Sequence, residues 1–246
     1  MRPIAVIIAI LLSTAIGAQS FTSRPATTST QPADLIDPEL WNRLIQIDQR
    51  AGLIRDLTAE FEQQKFTPLL KKPLTSRGIV RVTRTLMRWD TTEPQPTVMI
   101  ITPTEASIYY PTEKLQEIYP ISSELGALAA SPLPDLQLLR RHFVFETDSL
   151  SELDARLAGR SGDYIALRLR PVDQSLREHV AQVRVLIDAT TAFMIRTEML
   201  DADGEKTILT FGKIQANTNL DEAHLRHLRL PADVKLVRPL EGLAPR

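Results

Sequence analysis

Two of the four histidines, His224 and His227, sit three apart in the run DEAHLRH. On a helix that spacing puts two ligands on one face, whereas structural zinc takes four. No third histidine lies nearby and the chain has no cysteine, so no metal site is expected. Asp201-Ala202-Asp203-Gly204-Glu205 has the residue types of a calcium loop without its spacing, and reads as a hairpin turn. Gly159-Arg160-Ser161-Gly162 could cradle an anion, but it lacks the buried strand before and the helix after that a phosphate loop needs. There is no G-x-S-x-G motif, and without cysteine there is no thiol nucleophile. The expectation is no catalytic residue and no cofactor: a protein that binds, not an enzyme.

The elements that would build a binding surface lie between residues 57 and 121. Short β-type runs follow one another there, and Pro94, Pro96, Pro103, Pro111 and Pro120 stand at or just past their ends. Runs this close can be joined only by tight connections, which predicts an antiparallel meander. Strands are expected at 57–66, 77–84, 86–90, 97–102, 106–110 and 114–119. In the second of these, Gly78, Val80, Val82 and Arg84 share one face. If the valines point inward, Arg84 is carried to the interior at the strand's end. Its alternative is a surface arginine. Trp89, in the next strand, reads equally as a core aromatic or as a ligand contact.

Around this meander, Asp37-Pro38 predicts a helix start, and Leu40, Trp41, Leu44, Ile47, Ala51 and Ile54 recur at helical spacing. The segment 65–76, with Pro68, Lys71, Lys72 and Pro73, predicts an exposed hairpin loop. Residues 122–130 and 134–143 predict short helices, and 150–157, 164–170, 180–188, 193–200 and 206–214 further strands. The fold class expected is α+β, mainly β: about ten antiparallel strands in an open, incomplete barrel, with an N-terminal helix and a helical lid.

Residues 1–18 have a secretory layout: Arg2, an apolar run from Ile4 to Leu12, then small residues at Ala15, Gly17 and Ala18. The run is short for a membrane span; an uncleaved anchor is the alternative. Removing it leaves 28 basic against 30 acidic residues. That balance argues against a nucleic-acid partner, which needs a basic excess to release counterions. Residues 19–33 read as a Ser/Thr/Pro linker, 34–239 as one domain and 240–246 as a short tail. Absence of cysteine also leaves no lipid-attachment residue near the leader.

This order of elements resembles the LolA-like periplasmic lipoprotein carriers. The matching residues are Phe61-Glu62-Gln63, the glycine-led strand from Gly78 to Arg84, Met87-Arg88-Trp89, Tyr109-Tyr110-Pro111 and Leu115-Gln116-Glu117. The turn at Asp201–Gly204 and a terminal strand at Leu230-Pro231 fit more loosely. The resemblance implies an unclosed barrel whose cavity is lined by Leu57, Phe61, Met87 and Trp89, with Leu125 and Leu128 from the lid. It implies an arginine that reaches into the barrel and bonds the lid. Arg84 takes that place; because Thr85 replaces a frequent proline and the spacing to Trp89 is one residue short, Arg88 is its rival. The implied function is a periplasmic carrier of lipoprotein acyl chains, or another lipid, from inner to outer membrane. It would act as a monomer between a transient inner-membrane donor complex and an outer-membrane acceptor. The alternative is a periplasmic sensor or interaction module of the same fold.

Overall fold

A computed structural model of the chain describes residues 36–121, 131–155 and 162–239. The predicted leader, linker and tail, and the predicted lid helix with Leu125 and Leu128, lie outside those residues.

Helix α1 spans Pro38–Ala51 and starts where the residues dictate. The Asp37 side chain accepts a hydrogen bond from the Glu39 N–H, and Pro38 takes the first position, where no N–H is needed. Leu40, Leu44, Ile47 and Ala51 form its buried stripe. Six strands follow: β1 (Asp56–Phe66), β2 (Leu74–Thr83), β3 (Met87–Glu93), β4 (Thr97–Ile101), β5 (Glu105–Tyr110) and β6 (Leu115–Pro120). The second half holds α2 (Leu136–His142), β7 (Phe143–Thr147), α3 (Leu150–Leu153), β8 (Tyr164–Pro171), α4 (Gln174–Arg177), β9 (Val180–Asp188), β10 (Phe193–Asp201), β11 (Lys206–Ala216), α5 (Glu222–Arg226) and β12 (Lys235–Val237).

All the strands belong to one sheet of twelve, in the order β12-β6-β5-β4-β3-β2-β1-β11-β10-β9-β8-β7. The two end strands do not pair, so the barrel stays open. Pairing is antiparallel except between β12 and β6, which run parallel. Long β1 joins the meander to the second half: it pairs with β2 on one side and β11 on the other.

Two expectations need correction. Within the predicted strand at 150–157, Leu150–Leu153 form a single helical turn, because Leu150 and Leu153 are spaced to share a helix face and Leu153 is the buried one. The strand in this region is β7, whose alternating Phe143 and Phe145 come directly after a helix with no turn signal between them. The terminal strand lies at Lys235–Val237, beyond Leu230-Pro231.

The apolar face of the sheet divides into two halves. Over β7–β10, α1 supplies Leu40, Leu44 and Ile47, and α2 supplies Leu136, against Phe143, Phe145, Leu167, Val185 and Ile187. Over β1–β5 and β11 the sheet presents Leu57, Phe61, Val80, Val82, Met87, Trp89, Ile108 and Phe211. Among the described residues, only Ile54, Ile121 and Leu133 come from outside the strands to pack on this second half. Among the same residues, no helix is long and apolar enough to cross a membrane.

Candidate binding site

Register and parity assemble the second half into a continuous surface. One cross-strand row runs Ala59, Val80, Trp89, Met99, Ile108, Glu117 and Val237, from β1 to β12. The next row on the same face runs Leu57, Val82, Met87, Ile101, Ala106 and Tyr119. Four of the residues expected to line a cavity, Leu57, Phe61, Met87 and Trp89, are thus brought together on one buried face.

Trp89 sits at the centre. Its ring meets Phe61 edge-on, with centroids 4.7 Å apart at 67°, and Phe211 at 6.1 Å. The indole is 3% exposed, and its Nε1–H has no acceptor among the described residues. A buried donor left unpaired costs about 1–3 kcal/mol, so this site gains from any ligand that brings an acceptor. Gly78 makes the close packing of β2 on β3 possible. It faces Phe61 on one side and Thr91 on the other, at a register shift, and a Cβ there would lie 2.1 Å from the Asp90 carbonyl oxygen.

Besides Thr97, this face carries a buried carboxylate, Glu117, 4% exposed. Its carboxylate accepts hydrogen bonds from the Tyr119 hydroxyl at 2.9 Å and the Tyr110 hydroxyl at 3.4 Å. Leu115, Glu117, Tyr119 and Val237 line a cleft of about 460 Å³ at the β6–β12 end of the sheet, together with Glu113, Lys235 and Pro239. Leu115 and Tyr119 also pack against the apolar cluster, so the cleft adjoins it. Sequence reasoning passed over Glu117, Tyr119 and Phe211. A usable signal existed: the parity of 115, 117 and 119, set against Ile108 and Tyr110, puts a carboxylate on an apolar face.

Both candidate arginines leave the site. Arg84 is exposed, because β2 ends at Thr83. The Thr83 N–H closes a turn on the Leu86 carbonyl at 2.8 Å, and strand parity no longer governs the residue after it. Arg88 alternates with Met87 and Trp89 and so lies on the opposite face of β3. There it bonds the Asp90 carboxylate at 2.9 Å, the Leu225 carbonyl at 2.9 Å and the His227 carbonyl at 3.2 Å. These bonds hold the segment around α5 on the outer face, where Leu225 packs with Leu86 and Ile100. Glu222 of α5 pins the β2–β3 turn by accepting from the hydroxyls of Thr83, at 2.7 Å, and Thr85. Two exposed guanidiniums, Arg55 and Arg84, remain beside a second cleft of about 470 Å³ that Asp56 and Glu222 also line.

A charge cluster holds the other half of the sheet together. On the outer face of β8 and β9, the Asp148 side chain is 1% exposed, with Arg184 at 2.5 Å and Arg168 at 2.8 Å. Burial alone would raise its carboxyl, but the Arg184 hydrogen bond, the Ser149 N–H and the two guanidinium charges hold it below the ordinary carboxylate value.

The model of a family described as outer membrane lipoprotein carrier protein LolA matches residues 53–225. No curated protein matches the chain in sequence. Among solved structures, an uncharacterized conserved protein from Thermus thermophilus aligns at 17% identity and a TM-score of 0.51, covering 81% of this chain and 99% of that one. A LolA superfamily protein from Nitrosomonas europaea aligns at 12% identity, 0.41, and 76% and 97% coverage. The MucA/MucB complex of Pseudomonas aeruginosa aligns at 13% identity, 0.41, and 77% and 61% coverage. At such identities the Thermus likeness speaks for the fold alone.

Proposed function

The chain belongs to the family of outer membrane lipoprotein carrier proteins, and from that premise we propose that it carries acyl chains on the Trp89 half of its sheet. The observation that carries this reading is the composition of that half: a wide buried apolar face with an indole N–H at its centre that no described residue accepts. An acyl chain laid on it gains about 0.8 kcal/mol per buried CH₂. The Nε1–H gives an ester or amide carbonyl the partner that the described residues do not supply. The cleft beside Leu115 and Tyr119 offers a way in, with the Glu117–tyrosine group near the polar end of the ligand.

The face is buried, so loading requires its cover to move. Leu125 and Leu128 are the proposed apolar residues of that cover, since Ile121 and Leu133 on either side of their segment pack on the same cluster. The proposed setting is the periplasm, reached through the leader at residues 1–18, with lipoproteins as cargo. Arg84, exposed beyond the end of β2, and Arg88, on the outer face of β3, are left out of the proposed site.

Native mass spectrometry of protein recovered from membrane-containing cells tests the reading. Adducts with the mass of acyl-bearing species are expected, and they should be lost on replacing Trp89 and Phe61 with polar residues. Protein that is empty in every preparation would contradict it.

A further inference from the structure

The geometry points to the β1–β2 hairpin tip as an element that docks this protein on an anionic lipid bilayer. The tip is a formed structure. Thr67–Leu70 closes as a turn through the Leu70 N–H and the Thr67 carbonyl at 3.1 Å, with Pro68 at the position that favours it. Held in that turn, Leu69 is 85% exposed and Leu70 42% exposed. Apolar side chains so displayed on a formed turn have no partner to bury them among the described residues.

Three further observations select the partner. Lys71 and Lys72 follow the leucines directly, are exposed, and form no ion pair with the described residues, and there is no acidic residue from Lys65 to Leu74. The exposed surface continues at the same end of the sheet: Leu74 opens β2, and Phe66, Lys206 and Leu200 share a cross-strand row there, with the Lys206 ammonium over the Phe66 ring. The tip also projects. Pairing of β2 with β3 stops at Arg77, so the hairpin extends three residues and its loop beyond β3, about 10 Å for the paired part alone. Of the three acids in the neighbouring β10–β11 turn, Glu205 is paired with Lys65, Asp201 caps its own turn through the N–H groups of Asp203 and Glu205, and Asp203 is exposed. Apolar tip residues backed by lysines match a bilayer surface: the leucines enter the headgroup–acyl boundary and the ammoniums stay with anionic headgroups.

This inference does not depend on what the Trp89 face binds. Because the chain has no cysteine, one introduced at the tip reports on it alone. A polarity-sensitive fluorophore on Pro68→Cys is expected to shift to the blue with vesicles of equal phosphatidylglycerol and phosphatidylcholine. The same label on Arg84→Cys, at the opposite end of the hairpin, should not shift. Adding Leu69→Asp and Leu70→Asp should weaken tip binding at least tenfold. Lys71→Gln with Lys72→Gln should weaken it on anionic vesicles by about tenfold, with little left for salt to screen. All these positions are exposed, so circular dichroism should show unchanged folding. No shift at the tip with anionic vesicles, or an equal shift in the leucine variant, would overturn the proposal. So would a dimer in sedimentation that the leucine variant dissolves, since a second copy would then be the tip's partner.

Discussion

Trp89 is the residue on which the binding reading turns. Trp89→Ala should cost about 3–5 kcal/mol by thermal or denaturant unfolding, as expected for a buried aromatic at the centre of a cluster. Trp89→Phe separates packing from hydrogen bonding: it keeps an aromatic ring and deletes a donor with no acceptor among the described residues, so stability should change by less than about 1 kcal/mol. The same variant should bind an acyl ester about three- to tenfold more weakly, the share of one hydrogen bond. Arginine roles were the least legible in the sequence. Parity carried Arg84 inward only as long as the strand continued, and a turn one residue earlier cancels it. Arg88 is buried enough to matter, but for the outer face. Arg84→Ala should be neutral within about 0.5 kcal/mol. Arg88→Ala should cost about 1–3 kcal/mol and speed amide exchange around α5, because the Leu225 and His227 carbonyls lose their donor.

At the scale of elements, alternation and proline punctuation were enough to place β1 through β6 within a few residues. Those strands are bounded by turns and half-buried, the conditions under which period two is visible. Where an element abuts another without a turn, as β7 follows α2, periodicity has no break to show and the boundary was misplaced. Register was not legible at all, and register is what puts Glu117 in an apolar row and Gly78 opposite Phe61. Gly78→Val should therefore destabilise by more than about 3 kcal/mol, because the obstacle is backbone and cannot rotate away. The β8–β9 face makes a separate prediction. The Asp148 carboxyl is held below its ordinary value, so its contribution is complete above pH of about 4 and fades as pH falls through the lowered value. Asp148→Asn should cost about 3 kcal/mol at neutral pH. Its melting temperature should converge on that of the parent only in acid.

The whole molecule is asymmetric in the way that the proposed acyl-chain binding requires. One half of its open sheet is capped by α1 and α2 and works as a conventional core. The other half bears the aromatic cluster, adjoins a cleft, and holds a buried donor unsatisfied by the described residues. Contact quenching tests this division most directly. In a Trp41→Phe background, Trp89 is the remaining tryptophan. Titration with a lipid whose acyl chains carry bromine should quench its emission saturably, at one ligand per protein, while the unbrominated lipid competes. If such a lipid binds and the Trp89 emission is unchanged, or if no acyl ligand binds at all, the β1–β5 face is not the carrier surface.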